Sequence, residues 1–327
     1  MVFLPEKDKY FHIAEKERKK LYPMSMDSSI CFGIFVKSDT PVFLWQILAF
    51  FYGHAIMEQS RNRGEFMKII DIHTHVYPEK IASAAIRTVR AFYQLDSCDM
   101  DGTAAMLMQR GKEAGIHQFV LMPVANRAEQ VASINRFIQK QVEENPCFVG
   151  FGAIHADLPE IGAEVERIAA LGMKGIKVHP DFQKFPIDDP RLFPMYEAVQ
   201  GKLPVLFHMG DPRYDYSHPV RLRRVLENFP KLEAIAAHFG GHTMQETACE
   251  LLKDTNCIFD ISSTMMFLPK SQVERYISVY GAERLAFGTD YPLWDPVTEV
   301  AHFLSLDITA EEKEQIAHKT AERILKL

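Results

Sequence analysis

The chain contains 327 residues, of which 47% are hydrophobic and 24% charged, and its formal net charge is −6. These ordinary globular values exclude a disordered chain, a collagen-like protein and a small disulfide scaffold. The mildly acidic balance gives no electrostatic reason to expect nucleic acid or an anionic membrane surface as a partner. Five cysteines are scattered without a CxxC motif, which indicates reduced thiols in a cytoplasmic protein.

Residues 1–66 lack the regular pattern of the remaining chain. Their apolar run at 42–57 is shorter than the ~20 residues that span a bilayer, and it is compatible with a surface helix or a membrane-associating segment. We hypothesise that Met67 is the biological start and that residues 1–66 are a translated leader. Residues 63–65 can be encoded by purine-rich codons, which would form a bacterial ribosome-binding site a few nucleotides before the codon of Met67. A genuine N-terminal extension is the alternative, and the intact mass of the native protein distinguishes the two.

From Met67 onward, short apolar runs rich in β-branched residues alternate with amphipathic helical stretches, as is typical of βα units on a parallel sheet. The predicted strands are eight, at residues 68–72, 118–123, 148–154, 175–179, 204–208, 234–238, 257–261 and 284–289. Because residues 67–327 are close in number to the ~250 residues of a (β/α)8 barrel, we predict an α/β fold, a distorted TIM barrel. A doubly wound open sheet is the alternative, but no GxGxxG motif follows a predicted strand.

Histidines and acidic residues are concentrated where the predicted strands end. Five of them close four different strands: His73, His75, His208, His238 and Asp290. His73 and His75 are two residues apart, so they point the same way in an extended chain and can present two imidazoles to one metal. In a barrel the functional groups lie at the C-terminal ends of the strands, where these residues should converge. Imidazoles with one carboxylate suit Zn²⁺ first, with Mn²⁺ or Fe²⁺ as alternatives.

Five local strings contain these residues or lie at other strand ends. In chain order they are IIDIHTHVYP, GIKVHPDF, PVLFHMGD, AAHFGG and FGTDYP. The set resembles the amidohydrolase superfamily, and within it the amidohydrolase family 2 branch, which includes aminocarboxymuconate-semialdehyde decarboxylase and related aromatic-acid decarboxylases. The resemblance extends over residues 67–327 and does not include residues 1–66. It implies a barrel enzyme with His238 beside one divalent ion, whose ligands would be His73, His75, His208 and Asp290.

The ligand set predicts acid–base chemistry at the metal. A bound cation lowers the pKa of water to about 7 and polarises a substrate oxygen. Asp290 is the candidate that accepts the proton of this water and delivers it to the leaving group. His238 is the second catalytic candidate, since it can hold the water or polarise the substrate carbonyl.

Four further residues are candidates for contacting the substrate: Lys177, His179, Arg213 and Trp294. Arg213 lies in a polar and aromatic segment and suits a carboxylate clamp. In binuclear members of the superfamily, a lysine at the position of Lys177 is carboxylated and bridges two metals. The branch resembled here is mostly mononuclear, so we expect one metal and a substrate-facing Lys177. His179 is equally interpretable as a structural residue, and Trp294 as loop packing.

These features favour a metal-dependent hydrolase that activates a metal-bound water to cleave a small polar ester, lactone or amide. Several decarboxylases of the branch replace the first histidine of the HxH pair, so the presence of His73 favours hydrolysis. The alternative is a metal-dependent nonoxidative decarboxylase of a small aromatic or unsaturated carboxylic acid. A barrel without catalysis, acting as a binding or scaffold protein, is disfavoured by the complete ligand set.

The expected partner is a small-molecule substrate, with neither nucleic acid nor a membrane. A homo-oligomer is compatible with the sequence because barrels of this kind often associate, but no interface is specified.

Overall fold

The predicted strands are present as short parallel strands in a computed structural model, which describes residues 67–95 and 99–327. The third predicted strand is divided at Phe151, so nine strands correspond to the eight predicted ones. They are β1 (Ile70–Thr74), β2 (Gln118–Leu121), β3 (Phe148–Gly150), β4 (Gly152–Ala153), β5 (Ile176–Val178), β6 (Val205–Phe207), β7 (Ala234–Ala236), β8 (Ile258–Asp260) and β9 (Leu285–Ala286). Hydrogen-bonded neighbours are parallel, in the orders β1-β2-β3 and β4-β5-β6-β7-β8-β9. The predicted α/β barrel is therefore confirmed.

The barrel closes where β1 meets the segment that follows β9. The Ile72 N–H donates to the Phe287 carbonyl at 2.9 Å, and the Asp290 N–H donates to the His73 carbonyl at 2.8 Å. Gly288 permits this close approach, because a Cβ at that position would lie 2.9 Å from the Cβ of His73. Closure therefore places the first and last strands of the barrel side by side.

A buried carboxylate reinforces this closure. Asp71 Oδ1 accepts the Thr289 N–H at 3.0 Å, and Oδ2 accepts the Thr289 hydroxyl at 2.6 Å. Oδ1 also accepts the His73 N–H at 3.1 Å. Burial raises the pKa of Asp71 to about 7, and the hydrogen bonds from Thr289 and His73 oppose that shift. Asp71 thus ties β1 to the segment after β9 from inside the molecule.

A bulge in β1 sets the direction of its first histidine. The register of β1 on β2 shifts between Asp71 and Thr74. In a regular strand the side chains of Ile72 and His73 would face opposite sides of the sheet. Here Ile72 packs in the barrel interior, and His73 also turns inward to line the cavity at the strand end. Bulges commonly re-aim a side chain beside a functional site in this way.

Helices follow the strands and cover the sheet. The α-helices are Glu79–Tyr93, Ala104–Ala114, Val131–Glu144, Ile161–Ala170, Pro180–Gln183, Phe193–Val199, Pro219–Asn228, Gln245–Leu252, Lys270–Tyr280, Pro296–Leu304, Ala310–Glu314 and Thr320–Leu325. Two of them lie in the long crossover from β1 to β2. Pro219 and Pro296 begin their helices, where the missing N–H of proline breaks no helical hydrogen bond.

The hydrophobic core has two layers. In one layer, interior side chains such as Ile70, Val120 and Leu206 form a single buried cluster with residues of the helix Thr320–Leu325. In the other, side chains on the opposite strand faces, such as Phe119, pack with the surrounding helices. Since apolar groups occupy both layers, the polar side chains are concentrated at the C-terminal strand ends, where a barrel places its functional site.

Two expectations concern residues outside the described ranges. These are the apolar run at 42–57 and the leader hypothesis for residues 1–66, so the division at Met67 stays a prediction. Among the residues that the structure describes, no helix has both the length and the apolar character needed to cross a membrane.

The variant Gly111→Ala should destabilise the barrel. A Cβ at this buried helical position would lie 2.0 Å from Cζ of Phe119, and overpacking of this kind costs about 1–3 kcal/mol. Thermal unfolding followed by circular dichroism should therefore give a lower Tm. Lys112→Ala, at the next and exposed position, is the control and should leave Tm nearly unchanged. An unchanged Tm for Gly111→Ala would contradict the packing of this helix on β2.

Candidate metal centre

Three of the predicted ligands converge at the junction of β1 with the segment after β9. Nε2 of His73 lies 3.6 Å from Oδ1 of Asp290, and Nε2 of His75 lies 3.4 Å from the same oxygen. Ligand atoms of the three residues all lie within 4.8 Å of one another. His73 and Asp290 are buried, whereas His75 is partly exposed. The three side chains are close enough to share one cation.

The partners of the other ring nitrogens fit metal binding. Nδ1 of His75 lies 2.6 Å from the carbonyl oxygen of Met122, which can only accept, so this nitrogen carries the proton. Nδ1 of His73 lies 2.8 Å from the carboxylate of Asp260. In both rings the Nε2 lone pair is then left for a metal. Histidine ligands characteristically donate their other N–H to a carboxylate or carbonyl, so these residues suit a divalent ion.

His208 belongs to a neighbouring cluster. Its Nε2 lies 3.7 Å from Oδ2 of Asp181, and its ring stacks on that of His179 with centroids 4.0 Å apart. Ligand atoms of these three residues also lie within 4.8 Å of one another. Nδ1 of His208 is 3.1 Å from Nε2 of His238. His208 is thus not grouped with Asp290, and its place as the fourth ligand stays a prediction.

Asp260 and Ser262 connect two histidines of the site, and neither was among the predicted site residues. The Ser262 hydroxyl lies 3.1 Å from Nδ1 of His73 and 3.0 Å from Nδ1 of His238, and it donates to Asp260 Oδ1 at 2.6 Å. Asp260 Oδ1 also accepts the His238 N–H at 3.0 Å. The available sequence signal was a carboxylate inside the otherwise apolar strand predicted at 257–261.

Burial sets the protonation states of the site. It lowers the pKa of His73, His75, His208 and His238 below the usual value for histidine. Burial also acts to raise the pKa of Asp290, but His73, His75 and His238 hold it well below its usual range. Neutral imidazoles beside an anionic carboxylate are the states that metal ligands require.

Lys177 lies directly beside the ligands inside the barrel. Its Nζ is 3.0 Å from Nε2 of His73. Burial lowers the pKa of Lys177 to about 8, while Asp290 and Asp260 oppose the shift. At neutral pH the ammonium group therefore donates to the same His73 lone pair that a metal would take.

A cavity of about 200 Å³ opens beside the ligands. It is lined by the four predicted metal ligands, His73, His75, His208 and Asp290, and by His179. Its other walls are mostly apolar or aromatic: Tyr77, Ala85, Thr88, Val89, Tyr93, Val124, Asn126, Phe182, Pro292 and Leu293. Pockets for drug-sized ligands measure ~300–1,000 Å³, so this cavity suits a small molecule.

Tyr93 is a polar cavity residue that sequence reasoning did not single out. Its hydroxyl lies 3.0 Å from Nε2 of His179 and 3.4 Å from Nε2 of His208. Burial raises the pKa of this phenol well above its usual value, and Asp290 adds to the shift, so the hydroxyl stays protonated. The helical pattern around Tyr93 is that of an ordinary amphipathic helix and contained no signal for this position.

Arg213 and Trp294 contact residues around the cavity and are not among the described residues that line it. Trp294 Nε1 donates to the Ser263 hydroxyl at 2.8 Å, and that hydroxyl donates to Asp290 Oδ2. Arg213 forms a bidentate ion pair with Asp211, at 2.9 Å from Nε and 2.6 Å from Nη2. Trp294 therefore orients Asp290 through Ser263, and the guanidinium of Arg213 is engaged with protein groups.

Removal of a ligand side chain should remove the bound metal. His73→Ala and Asp290→Ala each delete one of three convergent donors, so both proteins should purify with little metal, whereas the wild type should retain about one equivalent per chain. Elemental analysis of the purified proteins measures this. His318→Ala, at a histidine away from the cavity, is the control and should keep the wild-type content. Full metal content in both ligand variants would disprove the site.

Asp260→Asn should weaken metal binding without removing a ligand. Loss of the carboxylate that holds Nδ1 of His73 should lower the affinity about 10–100-fold, as is typical for such supporting residues. Competition with a chelator measures the affinity, and circular dichroism verifies folding. The matched control is Asp254→Asn at an exposed position. Unchanged metal affinity would restrict Asp260 to a role in folding.

Solved structures with the same fold include two enzymes of known reaction. An uncharacterised TIM-barrel protein from Bordetella bronchiseptica is 23% identical, with a TM-score of 0.67 over 79% of this chain and 98% of that protein. The 5-carboxyvanillate decarboxylase of Sphingomonas paucimobilis is 17% identical, with a TM-score of 0.62 and coverage of 80% and 99%. A dihydroxybenzoic acid decarboxylase of Polaromonas sp. JS666, with bound manganese and the inhibitor 2-nitroresorcinol, is 18% identical, with a TM-score of 0.63 and coverage of 80% and 97%. These similarities show the fold.

The family assignment comes from the sequence itself. A family model described as amidohydrolase matches residues 70–327, from β1 to the end of the chain. This range contains each of the predicted ligands and the entire described barrel apart from residues 67–69. The chain therefore belongs to the amidohydrolase family.

Proposed function

We propose that this protein is a metal-dependent nonoxidative decarboxylase of a small aromatic or unsaturated carboxylic acid. The observation that carries the proposal is the cluster of His73, His75 and Asp290 in a narrow cavity whose other walls are largely apolar. A flat ring would pack between side chains such as Val89 and Phe182, while its carboxylate faced the ligands. We therefore favour decarboxylation over hydrolysis of an ester, lactone or amide.

The similar solved structures support this choice of reaction. Two of them are decarboxylases, one of 5-carboxyvanillate and one of dihydroxybenzoic acid. Both substrates are small aromatic acids, in keeping with the size and walls of the cavity. Because a barrel fold hosts many reactions, the support is an analogy, and the chemistry of the site must carry the assignment.

One divalent ion belongs to the proposed enzyme. It would be held by His73, His75 and Asp290, with His208 as the fourth ligand. When bound, it would neutralise the carboxylate of the substrate and polarise a neighbouring oxygen. Three imidazoles and one carboxylate suit Zn²⁺ first, while Mn²⁺, the ion in the Polaromonas enzyme, and Fe²⁺ are the alternatives.

Decarboxylation needs a proton at the carbon that loses CO2. The carbon–carbon bond breaks, its electron pair stays on the remaining carbon, and a proton takes the place of the carboxyl group. We assign this proton to Asp290, whose Oδ2 is fixed by the Ser263 hydroxyl while Oδ1 faces His73 and His75. Because its pKa lies well below the usual range, Asp290 begins as the anion and takes up a proton from water before it delivers that proton to the carbon.

The remaining site residues have proposed roles around this proton transfer. His238, whose Nε2 lies 3.1 Å from Nδ1 of His208, is the second catalytic candidate; it is not among the described residues that line the cavity, so it would act on the substrate through His208. His179 lines the cavity and would contact the substrate directly. Lys177 would contact the carboxylate of the substrate when the metal occupies the lone pair of His73, because its ammonium group then loses that partner.

Hydrolysis of a small ester, lactone or amide is the second candidate. The observation that favours it is the complete pair of His73 and His75, since several decarboxylases of the related branch lack the first histidine. In this reaction Asp290 would carry a proton from water to the leaving group, and His238 would stabilise the developing oxyanion.

The metal-loaded enzyme should release CO2 from a panel of dihydroxybenzoates, 5-carboxyvanillate and unsaturated acids. A coupled CO2 assay with chromatography of the products measures the reaction. Asp290→Asn should lower the rate at least ~10²-fold because it removes the proton carrier, whereas Asp254→Asn, at the surface, should keep it. Hydrolysis of esters or lactones without CO2 release from any acid would contradict decarboxylation and support the second candidate.

A further inference from the structure

Arg213 joins two segments that border the cavity. Its Nε and Nη2 donate to the carboxylate of Asp211, in the loop after β6, at 2.9 and 2.6 Å. Its Nη1 donates to the carbonyl of Phe92, near the end of the helix Glu79–Tyr93. The guanidinium also lies over the Phe92 ring, 4.5 Å from its centroid. All three guanidinium nitrogens therefore have protein acceptors, which links this loop to this helix.

The Asp211 end of the link is rigid. The Asp211 side chain is only 1% exposed. Its backbone N–H donates to the Ser217 hydroxyl at 3.3 Å, and the Gly210 N–H donates to the Ser217 carbonyl at 3.0 Å. The loop is thus closed on itself directly after β6, and the carboxylate that holds Arg213 has a defined position relative to the barrel.

The other end of the link is the carbonyl group of Phe92, at the C-terminus of a helix. Phe92 is in the last turn of the helix Glu79–Tyr93, so no N–H group within that helix lies four residues beyond it to donate to its carbonyl. The helix ends at Tyr93, because Gln94 adopts a left-handed conformation with φ of 56°. A guanidinium donor satisfies the exposed carbonyl and places a positive charge at the negative end of the helix dipole. Arg213 therefore stabilises this particular turn.

Tyr93 is the residue that this turn presents to the site. The helix contributes Ala85, Thr88, Val89 and Tyr93 to the cavity wall. The Tyr93 hydroxyl lies 3.0 Å from Nε2 of His179 and 3.4 Å from Nε2 of His208. It is thus a hydrogen-bonding group at the edge of the ligand cluster, on a wall that is otherwise largely apolar.

We propose that Arg213 is a positioning residue, which locks the end of the helix Glu79–Tyr93 so that the Tyr93 hydroxyl donates a hydrogen bond to an oxygen of the bound acid. Arg213 then acts on the substrate through Tyr93 and not as a direct carboxylate clamp. The locking of the helix stands on the contacts alone, whereas the hydrogen bond to the acid rests on the proposed function.

Hydrogen exchange of the metal-containing enzyme tests the lock without any substrate. Arg213→Gln should speed exchange in the last turn of the helix about tenfold, because a charge-assisted hydrogen bond to Phe92 is lost. Its metal content should equal that of the wild type. Arg221→Gln is the matched control, since Arg221 pairs with Asp188 and Asp215 in the same region without touching this helix. Unchanged exchange in Arg213→Gln would overturn the lock.

Kinetics on the best acid of the panel test the second step. Tyr93→Phe and Arg213→Gln should each raise KM about tenfold with a smaller effect on kcat, since the lost hydrogen bond is already made to the bound acid. The double variant should be no worse than Tyr93→Phe, because Arg213 acts through Tyr93. Additive losses would indicate a direct clamp and overturn the proposal. If the wild type decarboxylates no acid, the proposed role of Tyr93 fails together with the proposed function. Hydrogen exchange still tests whether Arg213 stabilises the end of the helix.

Discussion

The site depends on the contact between β1 and the segment after β9. Backbone hydrogen bonds between these segments, with the carboxylate of Asp71 on Thr289, place the end of β1 against the residues that follow the last strand. His73 and Asp290 are far apart in the chain, yet the Asp290 N–H donates to the His73 carbonyl. The absence of a side chain at Gly288 makes that approach sterically feasible. The same contacts that close the barrel therefore assemble the ligands.

The charges of the site suit a divalent cation. Asp260 and Asp290 are buried, and the pKa of each is held below its usual range by the surrounding histidines despite the opposing effect of burial. The ammonium group of Lys177 interacts with both of these carboxylates. Two buried carboxylates beside one ammonium group and neutral imidazoles leave negative charge that a divalent ion would compensate.

The ligand cluster and the apolar cavity walls would contact different parts of a bound acid. In the proposed enzyme the metal ligands and the neighbouring histidines would face the carboxylate of the substrate, whereas side chains such as Val89 and Phe182 would pack against its flat ring. Tyr93 adds one hydroxyl to this wall, held in place by Arg213 and the loop after β6. The selectivity of such a site would depend on a helix outside the barrel as much as on the strand ends themselves.

The sequence by itself determined the barrel and part of its site. Alternating apolar runs and helical stretches are local patterns, so eight strands could be placed, and polar residues closing those strands indicated His73, His75 and Asp290. Only the tertiary structure decided the supporting contacts, because they join residues far apart in the chain. Asp260 and His73 are 187 residues apart, and Arg213 and Phe92 are 121 apart. No local pattern encodes such pairs, since each depends on how the strands and helices pack around the closed barrel.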